Sequence, residues 1–121
     1  MQILKSMFRH YVTLAQLDAS IEFYEGLQKV ECERRLSFPE VGIEVAVVGA
    51  FVLLAGDDAA LAPIRHIQAA FVVDSVDAFR EWLKTQGADV PDEVHDSPVG
   101  RNITVRHTDG FVAEYFEPAP V

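Results

Sequence analysis

Residues 9–27, RHYVTLAQLDASIEFYEGL, are matched without a gap by residues 65–83, RHIQAAFVVDSVDAFREWL. The offset is 65 − 9 = 56 residues, and six of the nineteen aligned positions are identical. Each copy contains an apolar strand, an aspartate suited to capping a helix, and an amphipathic helix. Because a self-match of this kind marks a duplicated structural unit, the sequence predicts two copies of one module.

Each predicted helix has a capping residue and an apolar stripe. Asp18 is placed to cap a helix over residues 19–27, whereas Asp74 or Ser75 caps the helix of the second copy and Gly87 ends it. The stripes consist of Ile21, Phe23, Tyr24 and Leu27 in the first copy, and of Val76, Phe79, Trp82 and Leu83 in the second.

Three strand candidates follow each helix. They cover residues 30–37, 41–48 and 51–55 in the first copy, and 89–95, 101–107 and 111–116 in the second. Gly49-Ala50 and Asp109-Gly110 have the chemistry of hairpin turns. The sequence therefore predicts an α+β domain over residues 1–121, with βαβββ modules at about 7–56 and 64–118 joined by a linker at 56–63.

The charge balance disfavours nucleic acid and anionic membranes as partners. The chain has 19 acidic and 10 basic residues, a net charge of −9, which repels nucleic-acid phosphates and anionic lipid. No apolar run approaches the ~20 residues of a membrane span, and no export signal is visible, so we expect a cytoplasmic protein. Cys32 is the single cysteine and is expected to be a half-buried strand residue rather than a catalytic thiol.

This organisation resembles the vicinal oxygen chelate superfamily, which includes glyoxalase I, the bleomycin-resistance proteins and the extradiol dioxygenases. The resemblance covers nearly the whole chain and is carried by SIEFYEGL, by FREWLKTQGADV and by the closing run GRNITVRHTDGFVAEYFEP. It implies that the two modules form a partly open mixed-sheet barrel around a ligand cavity. It also implies a homodimer, possibly with modules exchanged between two chains.

Strand alternation predicts which side chains face the cleft. Apolar residues at alternate positions, such as Val12 and Leu14, or Ile43, Val45 and Val47, are expected to cover the helices. The remaining positions are the predicted ligand-binding residues Arg9, Tyr11, Thr13, Glu44, Gln68, Asn102, Thr104, Arg106 and Glu114, with Phe116 as an apolar wall.

The resemblance also raises the question of a divalent metal ion, which the family's enzymes hold with first-strand and last-strand residues. Glu114 falls where the family places its last carboxylate, but the matching run FVLLAG of the first copy has no ligand. The repeat pairs His10 with His66, and with Glu114 they form a possible metal site. Alternation turns His10 away from the cleft, so no metal cofactor is expected. His107 is expected to stabilise the adjacent turn.

Three functions remain open. The first is a metal-free binding protein of the bleomycin-resistance type, which sequesters a drug-like or metabolic molecule. The second is a metal-dependent lyase, isomerase or dioxygenase that uses His10 or His66 with Glu114. The third is a metal-free enzyme in which Glu114 or Glu44 is the base and Arg9 or Arg106 stabilises an oxyanion.

Overall fold

A computed structural model describes residues 1–120 of the chain. It contains eight strands, three helices and one 3₁₀ turn within those residues. The strands are β1 (Ile3–Val12), β2 (Arg34–Phe38), β3 (Ile43–Val48), β4 (Phe51–Ala55), β5 (Ala69–Val73), β6 (His95–Ser97), β7 (Gly100–Arg106) and β8 (Val112–Pro118). The helices are α1 (Leu17–Gln28), α2 (Asp58–Leu61) and α3 (Val76–Thr85), and the 3₁₀ turn covers Leu14–Gln16.

The chain divides into two compact units. The N-terminal unit is Met7–His66, and the C-terminal unit combines Met1–Ser6 with Ile67–Val121. Strand, helix and three strands follow one another twice along the chain, with α2 in between. This order confirms the predicted α+β class with two βαβββ modules.

In the N-terminal unit, the strands lie in the order β2-β3-β4-β1, with β1 parallel to β4 and the other pairs antiparallel. One face of this sheet packs on α1, because Leu17 and Ile21 of the helix are apolar and buried. The core between them also contains Val12, Ala46, Val48, Leu53 and Ala55.

The beginning of α1 differs from the prediction. Asp18 lies in the first turn and does not cap the helix, which has no side-chain cap at Gln16. Thr13 instead caps the preceding 3₁₀ turn: its hydroxyl accepts a hydrogen bond from the Gln16 amide, and the Gln16 side chain accepts one from the Thr13 amide. Four residues, 13–16, lie between the end of β1 at Val12 and the start of α1 at Leu17, and the 3₁₀ turn occupies the last three of them.

The β3–β4 hairpin turns at Gly49-Ala50, as predicted, and one side chain of α1 holds it in place. The Gln28 amide donates hydrogen bonds to the carbonyls of Tyr24 and Val48, at 3.0 Å each. Its oxygen accepts a hydrogen bond of 2.7 Å from the Ala50 amide. Gly49 has φ 57°, a conformation that suits glycine.

In the C-terminal unit, the strands lie in the order β5-β8-β7-β6, with β5 parallel to β8. Helix α3 packs on one face through Val76, Phe79 and Leu83, against a core that includes Val73, Ile103, Val105, Ala113 and Tyr115. Ser75 caps α3 by accepting a hydrogen bond from the Ala78 amide, and Gly87 follows its end with φ 82°. Both features were predicted.

Two strand predictions for this half are displaced. Residues 89–95 form no strand; Asp89 makes one isolated bridge to Arg106, and β6 begins at His95. Pro91 has no amide hydrogen, so a continuous ladder through this segment is disfavoured. The Asp109-Gly110 turn is present as predicted, with the Gly110 amide bonded to the His107 carbonyl at 3.0 Å.

The 56-residue offset pairs positions that have different environments. Phe23 is 62% exposed whereas its partner Phe79 is 6% exposed, and Leu27 is 61% exposed whereas Leu83 is 5% exposed. Strand β5 passes almost directly into the Ser75 cap, whereas the 3₁₀ turn separates β1 from α1. The prediction of a repeated module is therefore correct, but the residue-by-residue register of the repeat is wrong.

An ion-pair cluster links the start of α3 to β6 and β7. The Arg101 guanidinium donates two hydrogen bonds to Asp77, at 3.0 and 3.2 Å, and one to Asp96 at 3.2 Å. The hydrogen bond from Arg101 is the main reason that the pKa of Asp77 lies below its ordinary value of 3.8. The amide of Gln2 likewise lowers the pKa of Asp74.

We expect this pair to make stability depend on pH in acid. Because the folded-state pKa of Asp77 is depressed, its contribution is present above about pH 4 and is lost as the pH falls through the folded-state pKa. Asp77→Asn should therefore show a smaller fall in melting temperature than the unmodified protein between pH 5 and pH 2.5, roughly the range over which an aspartate titrates. Thermal unfolding followed by circular dichroism measures this, with Asp92→Asn as an exposed control. Identical pH profiles would contradict the prediction.

Candidate functional site

The far face of the N-terminal sheet, which we define as the face that does not carry α1, is largely apolar. Strand register places two rows of side chains across it, because directly paired residues share a face. One row is Arg9, Val52, Val47 and Arg34, and the next is Tyr11, Leu54, Val45 and Leu36. Val52 and Leu54 are buried, and Val45 and Val47 are half-buried. An apolar floor with polar groups at its side suits a small organic ligand.

Arg9 and Tyr11 form the polar side of this far face. The Arg9 Nε–H donates a hydrogen bond of 2.8 Å to the Tyr11 hydroxyl, which donates one of 2.7 Å to the carbonyl of Ile64. The guanidinium carbon lies 5.7 Å from the centre of the Tyr11 ring. Because the carbonyl uses the hydroxyl hydrogen, the hydroxyl oxygen is left to accept from Arg9. The chain thus orients a guanidinium, whose planar fork recognises carboxylate and phosphate groups.

Two of the predicted site residues of this unit lie elsewhere. Glu44 pairs with Ala55, which pairs with Val12, so Glu44 shares the α1 side of the sheet and not the face of Arg9 and Tyr11. The prediction failed because β3 is apolar on both faces: Ala46 is fully buried against α1. Thr13 lies beyond the end of β1, and its hydroxyl serves the 3₁₀ turn. Leu14, predicted to be core, is exposed.

The corresponding face of the C-terminal sheet, opposite α3, carries the other predicted residues together. Its rows are Ala70, Glu114 and Thr104, followed by Val72, Phe116, Asn102 and His95. Arg106 pairs with Val112 at the end of β7. Alternation predicted this face because the apolar positions of β7, Ile103 and Val105, alternate strictly with polar ones. That both far faces line one cleft stays a prediction.

Several of these side chains also support the local backbone. The Gln68 side-chain oxygen accepts a hydrogen bond of 3.2 Å from the Val112 amide, so it extends the β8 ladder. Arg106 donates a 3.4 Å hydrogen bond to the carbonyl of Gly110 in the β7–β8 turn. The ring of Phe116 lies directly over Gly100, where a Cβ atom would come within 2.8 Å of it.

The residues present do not fit the divalent ion that the fold family implies. His10 shares the α1 side of the sheet, where its ring makes an edge contact with Tyr24, with ring centres 5.8 Å apart. His66 is exposed and precedes β5. Residues 1–120 include no group of three or more histidine, cysteine, aspartate or glutamate side chains arranged to hold a metal. The strand neighbour of Arg9 on β4 is Val52, which has no ligand atom.

His107 is half-buried and contacts aromatic residues at the edge of the C-terminal core. Its Nε2 lies 2.7 Å from the Tyr115 hydroxyl, and its ring stacks on Phe111. Burial raises the pKa of Tyr115, because the charged phenolate would lose its hydration. The contact with Phe111, beside the Asp109-Gly110 turn, agrees with the stabilising role predicted for His107.

The apolar floor residues Val45, Val47, Val52 and Leu54 are part of the site that sequence reasoning missed. A signal was available in the run FVLLA, which is continuously apolar rather than alternating. Such runs mark strands that are covered on both faces. Alternation placed Ile43, Val45 and Val47 of β3 against the helices, which is wrong for Val45 and Val47, because the register puts them in the rows of Tyr11 and Arg9 on the far face.

Comparison with known proteins identifies a solved structure of clear sequence similarity and several more distant ones. No known family model and no curated protein matches the sequence. An uncharacterized protein of Methanosarcina mazei is 40% identical over 100% of this chain and 97% of its own, with a TM-score of 0.89. Methylmalonyl-CoA epimerase of Mycobacterium tuberculosis has a TM-score of 0.73 at 21% identity, over 98% of this chain and 90% of its own.

The epimerase of Streptomyces coelicolor, in complex with 2-nitronate-propionyl-CoA, has a TM-score of 0.67 at 21% identity over 99% of both chains. The epimerases share the fold of this chain across nearly its full length, and they are members of the vicinal oxygen chelate superfamily. Separately, no helix among residues 1–120 combines the length and the apolar character needed to cross a bilayer. The chain belongs to the same protein family as the Methanosarcina mazei protein and has the vicinal oxygen chelate fold.

Proposed function

We propose that this protein binds a small organic molecule with an anionic group, without a metal ion, on the far face of its N-terminal sheet. The observation that carries the proposal is the hydrogen-bonded pair of Arg9 and Tyr11 beside the apolar floor. The floor takes the apolar part of the ligand, and the Arg9 guanidinium takes its carboxylate or phosphate. A guanidinium at this position also disfavours a bound cation.

The structural neighbours support a ligand of this class. The Streptomyces coelicolor epimerase binds a propionyl-CoA derivative, and a further epimerase was crystallised with methylmalonyl-CoA. Acyl-CoA thioesters combine an acyl chain with phosphates. We therefore place propionyl-CoA first among the probes, with benzoate and a cationic bleomycin-type glycopeptide as alternatives of different charge.

The proposal predicts which substitutions weaken binding. Charge-assisted hydrogen bonds contribute about 1.5–3 kcal/mol, so Arg9→Gln should weaken binding of the best probe about tenfold or more. Tyr11→Phe should weaken it severalfold, because Arg9 then loses its orienting partner. Arg35→Gln is the matched control: Arg35 pairs with Ala46, so it lies on the α1 side, and its loss should leave binding unchanged. Isothermal titration calorimetry, with and without EDTA, measures all four proteins.

Each result decides the proposal. Binding that survives EDTA and falls in Arg9→Gln but not in Arg35→Gln supports it. Binding that EDTA abolishes, or that Arg9→Gln leaves intact, overturns it. The same is true if none of the three probes raises the melting temperature at millimolar concentration, because a ligand far above its dissociation constant stabilises by several kcal/mol.

A second candidate is a metal-free isomerase of an acyl thioester, with Glu114 as the base. It is favoured by the position of Glu114, half-buried between Ala70 and Thr104 on its sheet face, and by the epimerase neighbours. A base that removes the α-proton of propionyl-CoA would exchange that proton with D₂O. Deuterium incorporation that Glu114→Gln abolishes would establish this activity, and its absence would leave binding as the function.

A further inference from the structure

One row of the far face has an arginine at each end. The row crosses all four strands of the N-terminal sheet, and its members are Arg9, Val52, Val47 and Arg34. Three strand spacings of about 4.8 Å place the Cα atoms of Arg9 and Arg34 about 14 Å apart. Arg34 is exposed on the edge strand β2. The proposed function uses Arg9 and leaves Arg34 without a role.

The far face is positively charged, although the chain as a whole has a net charge of −9. Within residues 7–66, all of which the structure describes, the far-face strand positions include no aspartate or glutamate. They are Met7, Arg9, Tyr11, Arg34, Leu36, Phe38, Ile43, Val45, Val47, Val52 and Leu54. Glu44 is the one acidic residue of these strands, and it lies on the α1 side. An anion therefore meets less repulsion on this face than the net charge suggests.

Arg34 differs from its neighbour Arg35 in having no acidic partner. The Arg35 guanidinium donates a hydrogen bond of 3.1 Å to Asp18 on the α1 side. Arg65 and Arg101 likewise each pair with an aspartate. Within residues 1–120, the Arg34 guanidinium has no hydrogen-bond or ion-pair partner. Its donor fork, which matches the geometry of a carboxylate or phosphate, is therefore free to bind a ligand.

Helix α2 closes the end of the far face at which β4 finishes. Gly56 continues the alternation of β4, and a Cβ atom there would lie 3.2 Å from the Ala60 Cβ and 3.4 Å from the Leu61 Cδ2. Ile43, the far-face residue of β3 at this end, is buried. A ligand that begins at Arg9 is therefore directed across the strands, toward β2, rather than along them.

We infer that the ligand carries a second anionic group, that Arg34 binds it, and that the ligand is therefore an elongated dianion with an apolar middle. The inference rests on the proposed binding site and adds the class of its ligand. Arg9 binds one anionic end, Val52 and Val47 contact the apolar middle, and Arg34 binds the other end. A guanidinium recognises carboxylates and phosphates alike, so both kinds of dianion are tested.

Three probes of matched chain length separate the second charge from the apolar chain. Sebacate is a ten-carbon dicarboxylate, and with C–C bonds of about 1.5 Å its carboxyl carbons lie about 11 Å apart, a span that two inclined arginine side chains bracket. Octane-1,8-diphosphonate has the same eight methylene groups between phosphonates, whereas decanoate has a single carboxylate. Because Arg34 is exposed, the better long dianion should bind about fivefold more tightly than decanoate.

Substitutions at position 34 test whether this advantage comes from Arg34. Arg34→Gln should weaken the better dianion about fivefold and leave decanoate unchanged, whereas Arg34→Lys keeps the charge and should retain part of the advantage. Arg35→Gln, which removes the same charge from the α1 side, should leave both affinities unchanged. Isothermal titration calorimetry at about 50 and about 500 mM salt measures the affinities, and the advantage should shrink at the higher concentration. An unchanged melting temperature of Arg34→Gln verifies its fold.

The outcomes separate this inference from the proposed function. A dianion advantage that Arg34→Gln removes, with decanoate binding unchanged, supports the inference. Equal affinities of decanoate and both dianions, or an advantage that survives Arg34→Gln, would overturn it, while decanoate binding that Arg9→Gln weakens would still support the proposed function. Binding that Arg9→Gln leaves intact, or no binding of any of the three probes, would overturn the proposed function and this inference with it.

Discussion

Gly100→Ala is expected to lower the free energy of unfolding by about 3 kcal/mol. Gly100 has φ 154°, which side chains rarely adopt, and it begins β7 opposite Pro118. A Cβ atom there would lie 2.3 Å from the carbonyl oxygen of Glu117 and 2.8 Å from the Phe116 ring. The Glu117 carbonyl belongs to β8, one residue before the end of the strand, and moving it aside would disturb this end of the β7–β8 ladder.

Gly110→Ala is the matched control for this prediction. Gly110 also has a positive φ, of 95°, but a Cβ atom there would meet nothing within 4 Å. Gly110→Ala should lower the free energy of unfolding by about 1 kcal/mol, because of backbone strain alone. Urea unfolding measures the loss of stability in both variants, and the difference between the two losses is the contribution of the steric clash at Gly100. Equal losses of unfolding free energy would show that the β8 backbone near Glu117 shifts at little cost. In that case Gly100 would not hold Phe116 in place on its sheet face.

The second large effect is expected for Gln28→Glu, which should lower the free energy of unfolding by about 2 kcal/mol. Gln28 donates to the carbonyls of Tyr24 and Val48 and accepts from the Ala50 amide. A carboxylate keeps the acceptor but loses both donors, and it directs a negative oxygen at two carbonyl oxygens. Gln28, Tyr24 and Ala50 are half-buried and Val48 is buried, so water can replace the lost hydrogen bonds only in part.

Gln86→Glu tests whether the effect belongs to the hairpin contact. Gln86 ends α3, is exposed, and its amide bonds to the Thr85 hydroxyl at 3.2 Å. Replacing the side-chain amide nitrogen by oxygen at position 86 should lower the free energy of unfolding by less than about 0.5 kcal/mol. Chemical unfolding of both variants at pH 7 provides the comparison. If the two losses are equal, the hydrogen bonds of Gln28 to the β3–β4 turn contribute nothing specific to stability.

The relation between sequence and site differs between the two halves of the chain. In β7, apolar and polar residues alternate, so the placement of Asn102, Thr104 and Arg106 opposite the α3 core could be predicted. In β3, both faces are apolar, and the pattern could not tell which one meets α1. Packing determines which face of β3 meets α1: Ala46 and Val48 lie in the core beneath the helix. Glu44 alternates with the same residues and therefore lies on the α1 side as well.

For the helices too, the sequence pattern did not predict which residues face the sheet. An apolar residue in an amphipathic pattern is usually core, and that rule placed Phe23 and Leu27 in the interior. Both are exposed, because the 3₁₀ turn at Leu14–Gln16 sets the rotation of α1 so that Leu17 and Ile21 face the sheet. No stripe pattern encodes that rotation, since it depends on how the chain leaves β1.

The order of elements, the hairpin turns and the repeated βαβββ module follow from sequence alone, because they depend on interactions between residues close together in the chain: caps, turn glycines and periodicity. The face of β3, the rotation of α1, the hydrogen bonds of Gln28 and the pairing of Arg9 with Tyr11 and Ile64 were decided by the tertiary structure. These features join residues that are distant in the chain. Their energies depend on how side chains fit together, which a pattern along a single strand or helix does not record.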